Sequence, residues 1–73
     1  MNLYILNDVL TDYTSGMVVI AAESKEQCRE FFLEKFGWSR CWIDDFDSEH
    51  TKFTVIENVN HAAGIVDYVY GGA

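Results

Sequence analysis

Three glutamates repeat at every fourth position in the middle of the chain, and their spacing is its clearest chemical pattern. They are Glu26, Glu30 and Glu34. In a helix this spacing places successive carboxylates on one face, about 6 Å apart along the axis. Like charges so placed weaken a helix by a few tenths of a kcal/mol per pair. The pattern indicates either a row of carboxylates that imitates phosphates for a basic groove or a solvated helix face.

A second group of acids is interspersed with aromatic residues. The acids are Asp44, Asp45, Asp47 and Glu49, and the aromatic residues are Trp42 and Phe46. Rings that anchor an interface and charges that steer the encounter favour contact with another protein. The alternative is that both rings belong to the core and the acids are solvated. The spacing does not match a calcium-binding EF-hand, because its glycine and its distal bidentate glutamate are missing.

Two cysteines and two histidines have the residue types of a zinc site. They are Cys28, Cys41, His50 and His61. Zinc sites usually bring their ligands in close pairs, and none of these four is so paired. Cys28 also falls on the apolar face of a predicted helix, where a thiol packs as a small hydrophobe. We therefore expect no metal ion and no other cofactor.

No residue stands in a pattern that catalysis requires. Cys41 and Ser48 would need a base and an oxyanion hole, and no nucleophile motif surrounds either. Gly71 and Gly72 precede no helix, so they do not form a phosphate-binding loop. We expect no enzymatic activity.

The charge balance limits the partners. Twelve Asp and Glu stand against five Lys and Arg, which gives a formal net charge of −7. Such a field repels phosphate backbones and anionic lipid, so we expect no direct binding to nucleic acid or membrane. It favours a basic partner surface, or it simply keeps the protein soluble. Without a signal peptide or an apolar run of roughly 20 residues, we expect reduced thiols and a cytoplasmic location.

The strongest local signal is the start of a helix. Ser24 is a favourable N-cap, and Gln27 stands three residues later, which completes a capping box. Gly37 supplies a C-terminal cap, so the pattern predicts a helix over Lys25–Phe36. Four apolar residues share one face of it, namely Cys28, Phe31, Phe32 and Phe36.

Apolar runs predict four strands around this helix. They cover residues 3–6, 17–22, 52–59 and 65–70, and residues 38–50 form either a short strand or an ordered loop. Residues 7–16 are rich in turn formers, so Asp8, Asp12 and Tyr13 are expected on an exposed loop.

The order β-β-α-(β)-β-β predicts an α+β fold. We expect one domain, residues 1–73, with a single, mostly antiparallel β-sheet and the helix packed on one face. The expected core contacts join the helix to the sheet. They are made by Phe31, Phe32 and Phe36 with Ile5, Val18, Ile20 and Val55. Since 49% of the residues are hydrophobic and 15% aromatic, this core needs no metal or disulfide.

Both ends and the middle of the sequence resemble small uncharacterised accessory proteins of bacteriophages and prophages. The run Val-Val-Ile-Ala-Ala-Glu-Ser, followed by a helix with Glu26, Arg29 and Glu30, carries this resemblance. The opening strand with its Asp/Tyr loop and the closing Gly-Ile-Val strand extend it, and residues 38–50 depart from it. The family supplies no activity and no functional residues. The resemblance implies a phage context, where small acidic proteins are often inhibitors of host machinery, anti-CRISPR and other anti-defence proteins among them.

These patterns lead to one expected function and two alternatives. We expect stoichiometric binding to, and inhibition of, a basic, nucleic-acid-handling host protein, such as a CRISPR effector, in the host cytoplasm. The contact would involve the glutamate row and the acidic, aromatic segment. One alternative is a binder that sequesters a nucleotide signal, which requires convergence of Lys25, Arg29, Arg40 or Lys52. The other is a structural or regulatory phage protein that oligomerises through an edge strand. Residues 65–70 form the expected edge, which favours a weak homodimer, although Asp67 discourages it.

Overall fold

The computed structural model describes residues 1–10, 16–38 and 42–71. These residues form four strands and one helix: β1 (Asn2–Val9), β2 (Gly16–Ala22), α1 (Lys25–Phe36), β3 (Lys52–Ile56) and β4 (Gly64–Val69). The strands make one sheet in the order β3-β1-β2-β4, with every neighbouring pair antiparallel. The predicted α+β fold, with one antiparallel sheet and one helix, is confirmed.

Strand β1 is longer than the sequence predicted. Asp8 was expected on an exposed loop, and that prediction is wrong, because Asp8 lies within β1. It has a φ of 61° and is the unpaired residue between the pairs Asn7–Met17 and Val9–Gly16. An extra residue of this kind forms a β-bulge and redirects the strand, so Val9 is fully buried. The other expected loop residues, 12 and 13, lie outside the described residues.

The helix begins and ends where its capping residues predicted. Ser24 Oγ accepts a hydrogen bond from the Gln27 N–H at 3.2 Å, and Gln27 Oε1 accepts one from the Glu23 N–H at 2.7 Å. The Gly37 N–H donates to the Leu33 carbonyl at 2.9 Å and ends the helix. Among the described residues, no helix combines the length and the apolar composition that crossing a membrane requires.

One face of the sheet, the inner face, forms the core with the helix. Its buried side chains are Tyr4, Leu6, Val18 and Ile20, and those of the helix are Cys28, Phe32 and Phe36. Two core predictions are wrong. Ile5 alternates to the opposite face of β1, where it stands beside Val19. Val55 lies on the edge strand β3, where it pairs with Tyr4, and is 47% exposed rather than buried.

Residues 42–51, the turn segment, cover the part of the inner face that the helix leaves open. Residues 42–50 form successive turns rather than a short strand, closed by backbone hydrogen bonds such as Asp45 N–H to the Trp42 carbonyl at 3.0 Å. The helix packs against β2 and β4. Phe46 of the turn segment lies between Phe32 and Phe53, with ring centroids 5.7 and 5.1 Å away. Helix and turn segment therefore form one layer on the inner face.

Candidate partner-binding surface

The three predicted glutamates occupy the side of the helix that points away from the core. Glu26, Glu30 and Glu34 are all exposed. At 100° per residue they span an arc of about 80°, opposite the buried row of Cys28, Phe32 and Phe36. The three carboxylates therefore lie in one solvent-facing row, as their spacing predicted.

The basic residues of the helix contact other parts of the chain. Lys25 Nζ lies 4.5 Å from the centroid of the Phe53 ring, and Lys35 Nζ lies 5.1 Å from that of Tyr68. Both distances suit cation–π attraction. Arg29 forms a two-pronged pair with Asp47, in which Nη2 and Nε lie 3.0 and 3.2 Å from Oδ2.

These contacts turn all three cations of the helix toward neighbouring elements. The hydrogen bond and the negative charge of Asp47 raise the pKa of Arg29 above its ordinary value. The pair is exposed and adds little stability, but it holds the turn segment beside the helix. The glutamate row, by contrast, makes no ion pair among the described residues.

The acids of the turn segment differ in their surroundings. Asp44, Asp47 and Glu49 are exposed, whereas Asp45 is half-buried. Because helix and turn segment lie in one layer, their exposed acids belong to the helix side of the sheet. We call this group the acidic surface, which consists of Glu26, Glu30, Glu34, Asp44, Asp47 and Glu49.

Asp45 has a structural contact that its sequence position did not predict. Its Oδ2 accepts a hydrogen bond from the Leu10 N–H at 2.8 Å, and its backbone carbonyl accepts one from the Thr51 hydroxyl. Leu10 is buried and has a φ of 52°, a strained region for a large side chain. Burial raises the pKa of the Asp45 carboxyl, while the hydrogen bond from Leu10 opposes this shift. Asp45 therefore fastens the turn segment to the end of β1.

Asp45→Ala is expected to lower the free energy of unfolding by about 1–3 kcal/mol, because the Leu10 N–H loses its acceptor. Asp45→Asn keeps an oxygen acceptor and removes a half-buried charge, so it should equal or exceed the wild type at neutral pH. A carboxyl pKa raised by folding means that the wild type gains stability as the pH falls from the folded-state pKa toward the unfolded-state pKa. The difference in free energy of unfolding between the Asn variant and the wild type should therefore narrow over that pH window. Urea denaturation at neutral and acidic pH measures both effects, and an Asn variant as unstable as the Ala variant would contradict the assignment.

The aromatic residues predicted at the interface belong in large part to the interior. Phe46 is 3% exposed, and Trp42 is half-buried against the core. The Trp42 ring lies 5.1 Å from Tyr70 and 5.4 Å from Trp38 by centroids. Its Nε1 is buried and has no hydrogen-bond partner among the described residues. Whether Trp42 also meets a partner stays a prediction.

Sequence reasoning missed the most accessible of these rings. Trp38 is 73% exposed and stands edge-on to Trp42 just beyond the end of the helix. Its position directly after the capping Gly37 was the available signal, because a side chain past a helix end has no helical face to join. Trp38 offers an aromatic contact beside the acidic surface.

The described cations do not form an anion site. A shallow cleft of about 340 Å³ is lined by Lys25, Arg29, Glu26, Asp47 and Phe46, so its charges cancel. Lys52 instead lies 3.7 Å from Asp8. Residue 40, the remaining cation of the nucleotide-binding alternative, lies outside the described residues.

The candidate metal ligands that lie among the described residues do not come together. Burial raises the pKa of the Cys28 thiol to about 12, although the charge of Lys25 opposes the shift. The thiol is therefore protonated and packs as an apolar group. Within the described ranges, no three His, Cys, Asp or Glu side chains are grouped as metal ligands would be. Residue 41 lies outside those ranges.

Comparisons with protein-family models, with curated proteins and with solved structures find no match for this chain.

Proposed function

We propose that this protein binds the basic, nucleic-acid-handling surface of another protein and blocks it stoichiometrically. The acidic surface would occupy the groove that otherwise holds a phosphate backbone. In this proposal the glutamate row imitates successive phosphates, and the acids of the turn segment extend the negative field beyond the helix.

The observation that carries the proposal is the separation of charges on the helix. Each cation of the helix contacts a residue elsewhere in the chain. Lys25 contacts the Phe53 ring, Arg29 pairs with Asp47, and Lys35 contacts the Tyr68 ring. A helix built for stability alone would interleave its cations with its glutamates as i, i+4 pairs. Here the cations contact other parts of the chain, and the exposed glutamates remain available to an external cation. This arrangement supports a steering and docking surface for a basic partner.

The proposed host target rests on the sequence resemblance. Small acidic phage proteins are often inhibitors of host machinery, so we propose a bacterial nucleic-acid-handling protein, such as a CRISPR effector, as the class of partner. The protein would then act as a DNA mimic in the host cytoplasm.

Competition with nucleic acid tests the proposal. The immobilised protein is exposed to a nuclease-treated bacterial lysate and then washed with duplex DNA at constant ionic strength. We expect the DNA to release a nucleic-acid-binding protein whose own DNA binding is inhibited at a one-to-one ratio. Retained proteins that DNA fails to displace would contradict mimicry. Recovery of a nucleotide from the purified protein would favour the sequestration alternative instead.

A further inference from the structure

The outer face of the sheet, opposite the helix, is largely apolar. Residues paired across neighbouring strands share a face, so the register assigns this face in three rows. The first row is Ile56, Leu3, Ala21 and Gly64; the second is Thr54, Ile5, Val19 and Asp67; the third is Lys52, Asn7, Met17 and Val69. Met17, Ile56 and Val69 are 37%, 46% and 60% exposed. Only Lys52 and Asp67 are charged among these twelve positions.

The edge of β4 has two features that discourage strand-to-strand pairing. The register of β4 shifts at a bulge opposite Val19 and Ile20. The Asp67 carboxylate accepts a hydrogen bond from the Tyr68 N–H at 2.8 Å, which occupies a backbone donor. Bulges and charges on an edge are common means of preventing edge-to-edge association. The face of the sheet is therefore a better contact surface than its edge.

We propose that two copies of this chain associate through their outer faces, back to back, with the acidic surfaces pointing away from each other. The two-fold axis would lie between the two sheets, parallel to the strands and between β1 and β2. Such a contact is isologous, because each copy presents the same patch. It uses the side of the molecule opposite to the acidic surface and does not depend on the proposed function.

This axis brings complementary residues together. It places each row over the same row of the second copy with the strand order reversed. A large side chain then meets a small residue, because Ile56 faces Gly64 of the second copy, whereas Ala21 is fully buried within its own chain and adds nothing to the contact. Ile5 faces Val19 in the middle row. Two sheets packed face to face interdigitate in this way about 10 Å apart.

The two charges among these twelve paired positions also become complementary. Lys52 lies in the third row of β3, and Asp67 of the second copy would lie over β3 in the adjacent row. The separation of one row is about 7 Å along the strand, within reach of a lysine side chain. Lys52 is 80% exposed and only 3.7 Å from Asp8, so it can turn toward the second copy.

The size of the face sets the strength of the contact. Four strands about 4.8 Å apart and five residues long give a plane of roughly 20 by 17 Å. Two copies would bury on the order of 700 Å² of such plane, below the roughly 1,200–2,000 Å² of stable complexes. We therefore expect a reversible dimer with a dissociation constant on the order of 100 µM.

Sedimentation equilibrium from about 10 µM to 1 mM tests the dimer. The wild type should shift from monomer to dimer, whereas Met17→Lys with Val69→Lys should raise the dissociation constant at least tenfold. Both positions are exposed, and circular dichroism confirms that the variant folds. The matched control is Ile43→Lys with Val55→Lys, which alters two exposed apolar residues away from the outer face. It should dimerise like the wild type. A monomeric wild type at about 1 mM, or equal weakening by both variants, would overturn the proposal.

A charge exchange tests the proposed axis. Lys52→Asp and Asp67→Lys should each weaken the dimer severalfold, and the double variant should recover the wild-type dissociation constant. Stronger association in Asp67→Lys alone would indicate pairing through the edge of β4, because the Tyr68 N–H would be released. That result, or a double variant no better than the singles, would overturn the face-to-face arrangement.

Discussion

Exchanging Glu26, Glu30 and Glu34 for lysine is expected to weaken partner binding by about a hundredfold or more while the fold is retained. All three side chains are exposed and opposite the buried row of the helix, so the melting temperature should move little. The association rate should fall most, because charge steers the encounter of acidic and basic surfaces. Surface plasmon resonance at several salt concentrations measures both rates. Wild-type binding should itself weaken as salt shortens the screening length below about 8 Å.

A matched pair of variants separates the position of the charges from the net charge. Changing the same glutamates to glutamine removes three negative charges from the helix row. Glu57→Lys with Asn60→Lys changes the net charge equally at exposed positions between β3 and β4. We expect the glutamine variant to lose affinity and the control to retain most of it. If both lose affinity equally, the protein's overall field attracts the partner, and the glutamate row has no special role.

Phe32→Ala is expected to lower the free energy of unfolding by about 3–5 kcal/mol, the usual cost of truncating a buried aromatic residue. Phe32 is fully buried, and its ring lies 5.1 Å from Phe36 and 5.7 Å from Phe46 by centroids. It joins the helix to the turn segment, so the cavity would open where the two halves of the inner layer meet. Domains of this size are stable by roughly 4–11 kcal/mol, and the variant should be near the limit of folding.

Phe31→Ala is the internal comparison for this prediction. The Phe31 side chain is half-buried and lines a shallow cleft of about 300 Å³ with Ile65. It should therefore lose clearly less stability than Phe32→Ala in the same urea titration. Equal denaturation midpoints for the two variants would contradict the orientation of the helix, in which Phe32 is fully buried and Phe31 only half-buried.

The parts of this fold that sequence could predict are those determined by near neighbours. The helix has the predicted limits because Ser24, Gln27 and Gly37 act within one turn of its ends. The glutamate row follows directly from that helix, since its phase is fixed by the buried aromatic residues. Both predictions depend on contacts between residues only a few positions apart.

The parts that sequence could not predict depend on distant partners. The continuous apolar run of β1 gives no alternation, so nothing local distinguishes Ile5 on the outer face from Leu6 in the core. Leu10 is held by Asp45, 35 positions away, inside a run of turn formers that suggested a loop. The contacts of Lys25 and Lys35 with aromatic rings likewise require the sheet. This is why the glutamate row was predictable and the disposition of the surrounding cations was not.

The strand order has a consequence for how the chain assembles during synthesis. The two central strands, β1 and β2, come from the first 22 residues, and both outer strands come from the last 22. The β1–β2 hairpin leaves the ribosome before its two neighbouring strands and is thus their template, and a two-stranded hairpin alone is marginally stable. Until β3 and β4 arrive, both of its flanks carry unpaired backbone groups that can capture another nascent chain. These flanks therefore stay exposed for an interval that is set by the translation of the residues from α1 to β4.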